Sequence, residues 1–402
     1  MISLSQGTVK PLAAAQIATD IETLKTARNQ GFLSLHLQSQ LWRDAESLAK
    51  DFRGRFQKLV VCGIGGSSLG FESFQNFFHF DQTIVIDNVE TSTIAQRLKN
   101  ENLHDMAWVF ISKTGGTIET LSCLDWMVEF YEHKQISWKN RIAVITENKP
   151  SSLKNFATEN GLPSLEVPVN VGGRYSVFSP VGLFPLFFCG VTVDQIQAGM
   201  SAALKNEQFI SHFVAEVLQS FQRQEWITSF WFYSSRCHSL GRWMSQLWAE
   251  SLSKTVQWDG RPAPRVSTPL WMIGTCDQHS LLQQWMEGAR DKMVVFVKLD
   301  EAELQLPRIQ NPRFPETQLM KNKSLDQLLR VEADATQSAL QSQKVSTLEI
   351  CLRPNSVEDL VEFKMLMMIC VGILGERLNI NAFNQPGVEL GKTIIKKLLS
   401  ER

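Results

Sequence analysis

The residues that could do chemistry in this chain divide into groups that would hold an anion and groups that would move a proton. Gly172-Gly173-Arg174-Tyr175-Ser176 sets a planar cation with five donors directly after two glycines, which let the backbone pass close to a ligand. It follows the apolar run Leu165-Glu166-Val167-Pro168-Val169 and precedes a dense apolar segment at residues 177–193. A cation in such a place is costly unless it meets an anion. Its partner is either an anionic ligand or, for a structural arginine in a turn, a carboxylate or carbonyls of the same chain, and the segment alone favours the second. Two more segments place glycines and hydroxyls after strand-like runs: Gly63-Ile64-Gly65-Gly66-Ser67-Ser68-Leu69-Gly70 and Ser112-Lys113-Thr114-Gly115-Gly116-Thr117. Backbone N–H groups at such strand-to-helix turns suit an anion. Either could be an ordinary glycine turn with helix caps; together they favour an anion of phosphosugar size.

Two other anion motifs fit less well. Asp87 closes the second strand-like run where the acid that binds a nicotinamide cofactor's ribose would stand, but the third glycine of GxGxxG is replaced by Ser68. Gly387-Val388-Glu389-Leu390-Gly391-Lys392-Thr393 is one residue short of a P-loop and follows no strand.

Among proton carriers, Gln246, Glu250 and Lys254 lie at i, i+4 and i+8 of a helical pattern. Periodicity by itself predicts a solvated face with a Glu-to-Lys pair. A lone glutamate is also what carbon-acid chemistry needs: one carboxylate over a substrate C–H, tuned by partial desolvation. His279 follows a strand-like run in Gly274-Thr275-Cys276-Asp277-Gln278-His279-Ser280, where Ser280 could cap the next helix. Strand-end loops are where α/β sites are built, which sets this histidine apart from the other six. No histidine or cysteine spacing suits a metal.

The elements that must position these residues alternate. Strand-like runs begin at residues 58, 83, 107 and 141, separated by helical patterns, and a second set begins at 229, 270, 293 and 348. This predicts an α/β protein of two doubly wound parallel sheets with helical arms at both ends. The expected division is an N-terminal arm at 1–45, α/β domains at 46–193 and 194–375, and a C-terminal arm at 376–402, with a ligand cleft between the domains. Residues 1 to about 50 read as helices with short breaks, 177–193 as core, and 301–345 as a polar surface excursion.

Composition sets the class. The chain has 402 residues, 44% hydrophobic and 20% charged, with 40 basic against 41 acidic residues and a net charge of −1. That is an ordinary globular profile with no nucleic-acid or membrane footprint. Seven scattered cysteines without a CxxC pair predict reduced thiols and a cytoplasmic location. The N-terminus carries Asp20 and Glu22 and lacks the pattern of a signal peptide.

In order along the chain, Gly63-Ile64-Gly65-Gly66-Ser67, Ser112-Lys113-Thr114, Gly172-Gly173-Arg174-Tyr175-Ser176, Glu250-Ser251, Asp277-Gln278-His279-Ser280 and Gln385-Pro386-Gly387-Val388-Glu389-Leu390-Gly391-Lys392 resemble the phosphoglucose isomerase family, built from two sugar-isomerase (SIS) folds. The resemblance implies interconversion of glucose 6-phosphate and fructose 6-phosphate through a cis-enediol(ate), without a cofactor or metal. It implies that Gly65, Gly66, Ser67, Ser112, Lys113, Thr114 and Thr117 hold phosphate or the adjoining sugar, and that Gln246 and Gln385 line the substrate. His279 and Lys392 would help open the ring, Glu250 would shuttle the proton, and Arg174 would steady the intermediate. It further implies a homodimer in which His279 reaches the partner's site. The chain departs from the family pattern at Leu252-Ser253, Gly116 and Asn384. Alternatives are an isomerase that also takes mannose 6-phosphate, a non-catalytic SIS phosphosugar binder and a nicotinamide-dependent oxidoreductase. Glu250, His279 and Lys392 together argue against the binder, and Ser68 with the second phosphate loop against the oxidoreductase.

Overall fold

The computed structural model describes residues 2–5, 9–300 and 306–401. Ten strands occur in these residues: β1 Ser3–Leu4, β2 Lys58–Cys62, β3 Thr83–Ile86, β4 Met106–Ile111, β5 Ile142–Thr146, β6 Ser164–Glu166, β7 Ile227–Tyr233, β8 Thr268–Ile273, β9 Lys292–Leu299 and β10 Ser346–Leu352. They form two five-stranded sheets ordered β3-β2-β4-β5-β6 and β8-β7-β9-β10-β1. All neighbours are parallel except β1, which runs antiparallel to β10 through Ser3↔Cys351 and Leu4↔Ile350. The α/β expectation holds, and the eight strand-like runs are β2 to β5 and β7 to β10.

The two sheets share one plan. In each, the first long strand lies between the next two in sequence, so β7, β8 and β9 repeat β2, β3 and β4. Chains leaving β2 and β4, and likewise β7 and β9, run on to opposite sides of their sheet, which opens a crevice at the carboxyl ends of those strands. Strand runs are continuously apolar because both faces are covered: Leu59 and Val61 face one core cluster while Val60 and Cys62 face another. Phe230 and Phe232 likewise separate from Trp231 and Tyr233. The largest cluster runs from Ile2 to Ile380 and includes inner-face residues of both sheets.

Two helices fill that shared core. Ser179 caps the helix Pro180–Phe188, Pro180 stands at its first turn, and every residue in it is buried, as expected for residues 177–193. The helix Val357–Arg377, capped by Ser356, is buried continuously from Asp359 to Gly375.

Three local expectations need correction. Residues 1 to about 50 are helices with a short break, Ala14–Lys25 and Ser39–Arg55 around the 3-10 segment Gly31–Leu37, except that β1 joins the second sheet. A two-residue edge strand has no periodicity to read. Within 301–345, the described part is not only an excursion, because Leu325–Ser342 is a helix with a Ser324–Gln327 capping box. Its buried stripe is narrow and partly polar (Ala333, Thr336, Gln337, Leu340), which hid it in a hydrophobicity pattern. Ser280 does not cap the next helix: its hydroxyl bonds Asp277, and Leu281 takes the cap position of Leu282–Glu287.

Candidate active site

The site forms where the two sheets' loops meet. β2 and β4 are adjacent parallel strands, paired up to Cys62↔Phe110, so the loops after them emerge side by side. Gly65 has φ +60°, and a Cβ there would lie 2.9 Å from Gln246 Nε2. A Cβ on Gly66 would press on the Gly173 carbonyl and lie 2.7 Å from Arg174 N, so only glycine lets the loop touch this turn. Ser176 Oγ donates to Gly66 O at 3.3 Å. Ser67 is half-buried beside these contacts. In the second loop, Ser112 Oγ accepts from Gly115 N at 3.1 Å and lies 2.8 Å from Thr117 Oγ1. Thr114 is exposed. Lys113 donates to Val169 O at 3.1 Å and lies 3.5 Å from the Glu147 carboxylate. Burial pushes the Lys113 ammonium below its ordinary value, and Glu147 opposes that shift.

The helix His238–Leu252 after β7 supplies the carboxylate. Gln246 Nε2 donates to Glu250 Oε1 at 3.2 Å, and Arg174 Nη1 donates to Glu250 Oε2 at 3.2 Å. Glu250 remains about a quarter exposed and borders a cavity of about 530 Å³, shared with Lys254, Trp258, Asn384, Gln385 and Val388. Arg174 is buried, and its side chain is 1% exposed. Its Nε donates to Ser251 Oγ at 2.7 Å and its Nη1 also to Gln385 Oε1 at 2.9 Å. Its Nη2 reaches the carbonyls of Ala382, Asn384 and Glu250 at 2.6, 3.2 and 3.3 Å. Tyr175 OH lies 2.9 Å from Ser251 Oγ, and burial pushes its phenol up. Arg174 therefore ties the helix end to residues 382–385 and contacts the carboxylate at the same time.

The structure thus brings Gly65, Gly66, Gln246, Glu250, Arg174 and Gln385 into one contiguous set, with Ser67, Ser112, Lys113, Thr114 and Thr117 on the neighbouring strand ends. Two residues stand apart. His279 is exposed on the 3-10 turn Cys276–His279 after β8, held by Asp277 Oδ2 on Ile273 N at 2.7 Å and by Gln278 Nε2 on Tyr233 OH at 2.8 Å. Lys392 lies on the helix Glu389–Ser400, exposed, in an ion pair with Glu389 at 2.7 Å. Among the described residues, neither contacts Glu250 or Arg174. The expected Glu250-to-Lys254 ion pair does not form: Lys254 Nζ donates to the backbone carbonyl of Glu250 and to Asn384 O at 2.9 Å. Asp87 accepts from Arg242 at 2.7 Å and lies 3.7 Å from Arg97, so its carboxylate faces two arginines rather than a ribose site. Ser251 is the hydroxyl that meets Arg174 Nε and Tyr175 OH, a role the sequence signalled only by its place beside Glu250.

Paired parallel sheets of this strand order, meeting at two glycine-and-hydroxyl loops, place the molecule among proteins of the SIS fold. A crystal structure of a hypothetical protein from Thermus thermophilus superposes with a TM-score of 0.84 at 27% identity, over 99% of this chain and 100% of that one. A glucose-6-phosphate isomerase from Chlamydia trachomatis shares the fold at TM-score 0.77 and 19% identity, over 91% of this chain and 74% of that chain. The family model for phosphoglucose isomerase matches residues 44–402, and a probable glucose-6-phosphate isomerase of Haloarcula marismortui is 31% identical over 96% of this chain and 88% of its own. This chain belongs to the phosphoglucose isomerase family.

Proposed function

We propose that this chain interconverts glucose 6-phosphate and fructose 6-phosphate. The observation that carries the proposal is the Glu250 carboxylate, held from both sides by Gln246 and Arg174 at the edge of an open cavity. In the open-chain aldose, Glu250 takes the proton from C2, the C1 carbonyl oxygen gains the electron pair, and an enediolate results. The same carboxylate returns the proton to C1 while the proton of the C2 hydroxyl passes to O1, so that C2 becomes the carbonyl of the ketose and C1 carries the hydroxyl. The charge on the intermediate forms beside a buried guanidinium that needs no reorganisation to meet it. Gly65, Gly66, Ser67, Ser112, Lys113, Thr114 and Thr117 supply the N–H, hydroxyl and ammonium donors for the phosphate, and Gln246 and Gln385 line the sugar.

His279 and Lys392 complete this reading in a homodimer, with His279 serving the partner's site in ring opening. In support, the helix Glu389–Ser400 has no buried residue and exposes Leu390, Ile394, Ile395, Leu398 and Leu399, an apolar face that a second copy would cover. Sedimentation equilibrium is expected to give twice the chain mass; a monomer active at the same concentration would remove this role for His279. We read the domains as divided at 45, 193 and 375. We place the protein in the cytoplasm on its seven unpaired cysteines; among the described residues, no helix is long and apolar enough to cross a membrane.

The deciding experiment supplies fructose 6-phosphate and follows glucose 6-phosphate through a coupled dehydrogenase, with Glu250→Gln alongside. The variant should lose about two to four orders of magnitude in kcat with KM little changed. No turnover by the unmodified protein, or near-normal turnover by the variant, would refute the assignment.

A further inference from the structure

Lys254 stands two residues beyond the helix that carries Glu250, and its ammonium contacts the backbone rather than the carboxylate. It donates to the Glu250 carbonyl and to Asn384 O at 2.9 Å. Arg174 Nη2 donates to these same two oxygens at 3.3 and 3.2 Å. One acceptor is an orphan carbonyl at the negative end of a helix, where a cation is ordinarily welcome. The other belongs to the neighbouring segment, one residue before Gln385. A capping lysine needs only the first; the second, and the sharing of both with Arg174, call for another explanation.

Resting on the isomerase reading above, we propose that Lys254 is a positioning residue of the reaction, clamping residues 384–385 to the end of the Glu250 helix. The clamp keeps the Gln385 side chain and the Arg174 fork in register with the Glu250 carboxylate and adds a second positive charge beside the fork. Without it, the polar ties from residues 381–388 to the helix end would be those of Arg174 and the longer Tyr175 contact with Ala382 O at 3.5 Å. The charged groups that face the ammonium are Arg174 and Glu250; residues 381–388 and the rest of 253–258 carry none. Burial, and then the Arg174 charge, push Lys254 down to about 8. The clamp therefore weakens electrostatically just above neutral pH.

The test compares the native sequence with Lys254→Met and Lys254→Arg on fructose 6-phosphate across a pH series, with hydrogen exchange of residues 381–388 measured in parallel. Lys254→Met should lower kcat about 10- to 100-fold, the scale expected of a misplaced catalytic constellation. KM should move less, and the fall in rate above pH about 8 expected of the native protein should be absent from this variant. Lys254→Arg should restore most of the rate and carry the basic limb out of range, because a guanidinium stays charged. Residues 381–388 should exchange faster in the Met variant. Unchanged kcat, or a loss that leaves the basic limb in place and is not rescued by arginine, would overturn the positioning role. Unchanged exchange would overturn the clamp whatever the turnover, whereas an inactive native protein whose clamp loosens on substitution would refute the isomerase reading alone.

Discussion

Arg174→Lys separates scaffold from chemistry, because the side chain serves six acceptors and a lysine can serve at most three. Four of the six keep other partners. Ser251 Oγ retains Tyr175 OH, Glu250 keeps Gln246 on its other carboxylate oxygen, and the carbonyls of Glu250 and Asn384 keep Lys254. The two left poorly served are Gln385 Oε1, which has no other donor, and Ala382 O, which retains only the Tyr175 hydroxyl at 3.5 Å. A buried acceptor left without a donor costs about 1–3 kcal/mol; Ala382 is buried whereas water can reach the exposed Gln385, so the substitution should cost about 1–3 kcal/mol of stability. The charge remains, but the fork that fixed it against Glu250 is lost. The kcat for fructose 6-phosphate should therefore fall about 10²- to 10³-fold, the scale of removing one preorganised donor. Urea unfolding and the coupled assay on the same preparation read the two effects separately. A stability loss in this range with kcat within about threefold of the original would make Arg174 a structural cation only. Full stability with full activity would refute the bond accounting itself.

Two further expectations rest on packing. Gly66→Ala would drive a methyl into the backbone of Gly173 and Arg174, so stability should fall by about 1–3 kcal/mol. KM for the phosphorylated sugar should rise more than that of an unphosphorylated analogue; equal changes would argue that the glycine loop does not hold the phosphate. Lys364 is fully buried on the helix Val357–Arg377, with its ammonium 3.5 Å from the Trp243 ring centroid and no hydrogen-bond partner. The ring favours the charged amine, but burial without an acceptor outweighs it and pushes Lys364 well below its ordinary value. Since the folded state holds this proton less tightly than the unfolded chain, stability rises with pH from the folded value to the ordinary lysine value near 10.5. Lys364→Met should thus stabilise the protein by about 1–4 kcal/mol at neutral pH. The gain should vanish above pH about 10.5, where the unfolded lysine is also neutral; a destabilised variant at neutral pH would mean that the amine is charged and held by the ring.

The strands of both sheets were legible because a strand covered on both faces must be apolar throughout, and β4 and β5 are buried at every position. The glycine loops were legible because close backbone approach excludes a side chain, and Gly65 and Gly66 meet Gln246 and Gly173 in that way. Elements whose burial is brief or partly polar were not. β1 contributes two residues of backbone pairing, and the helix Leu325–Ser342 hides Thr336 and Gln337 within its buried stripe. Pair contacts at helical spacing misled for another reason: Glu250 and Lys254 can meet at i, i+4, but a stronger acceptor geometry from residue 384, 130 positions away, competes for the ammonium.

The same long-range geometry explains why Arg174 stayed ambiguous in the sequence. Three of its six acceptors are the backbone carbonyls of residues 250, 382 and 384. Backbone acceptors leave no residue-type signature. The three side-chain acceptors, on Glu250, Ser251 and Gln385, lie 76, 77 and 211 positions away. The structural and functional accounts of this cation are therefore not rivals. A fork already satisfied by fixed carbonyls has lost its freedom to reorient before any substrate arrives, and in the role proposed for it that prior ordering would let its charge act on an intermediate without further cost. Lys254, bonded to the same two carbonyls, extends that ordering to the segment carrying Gln385.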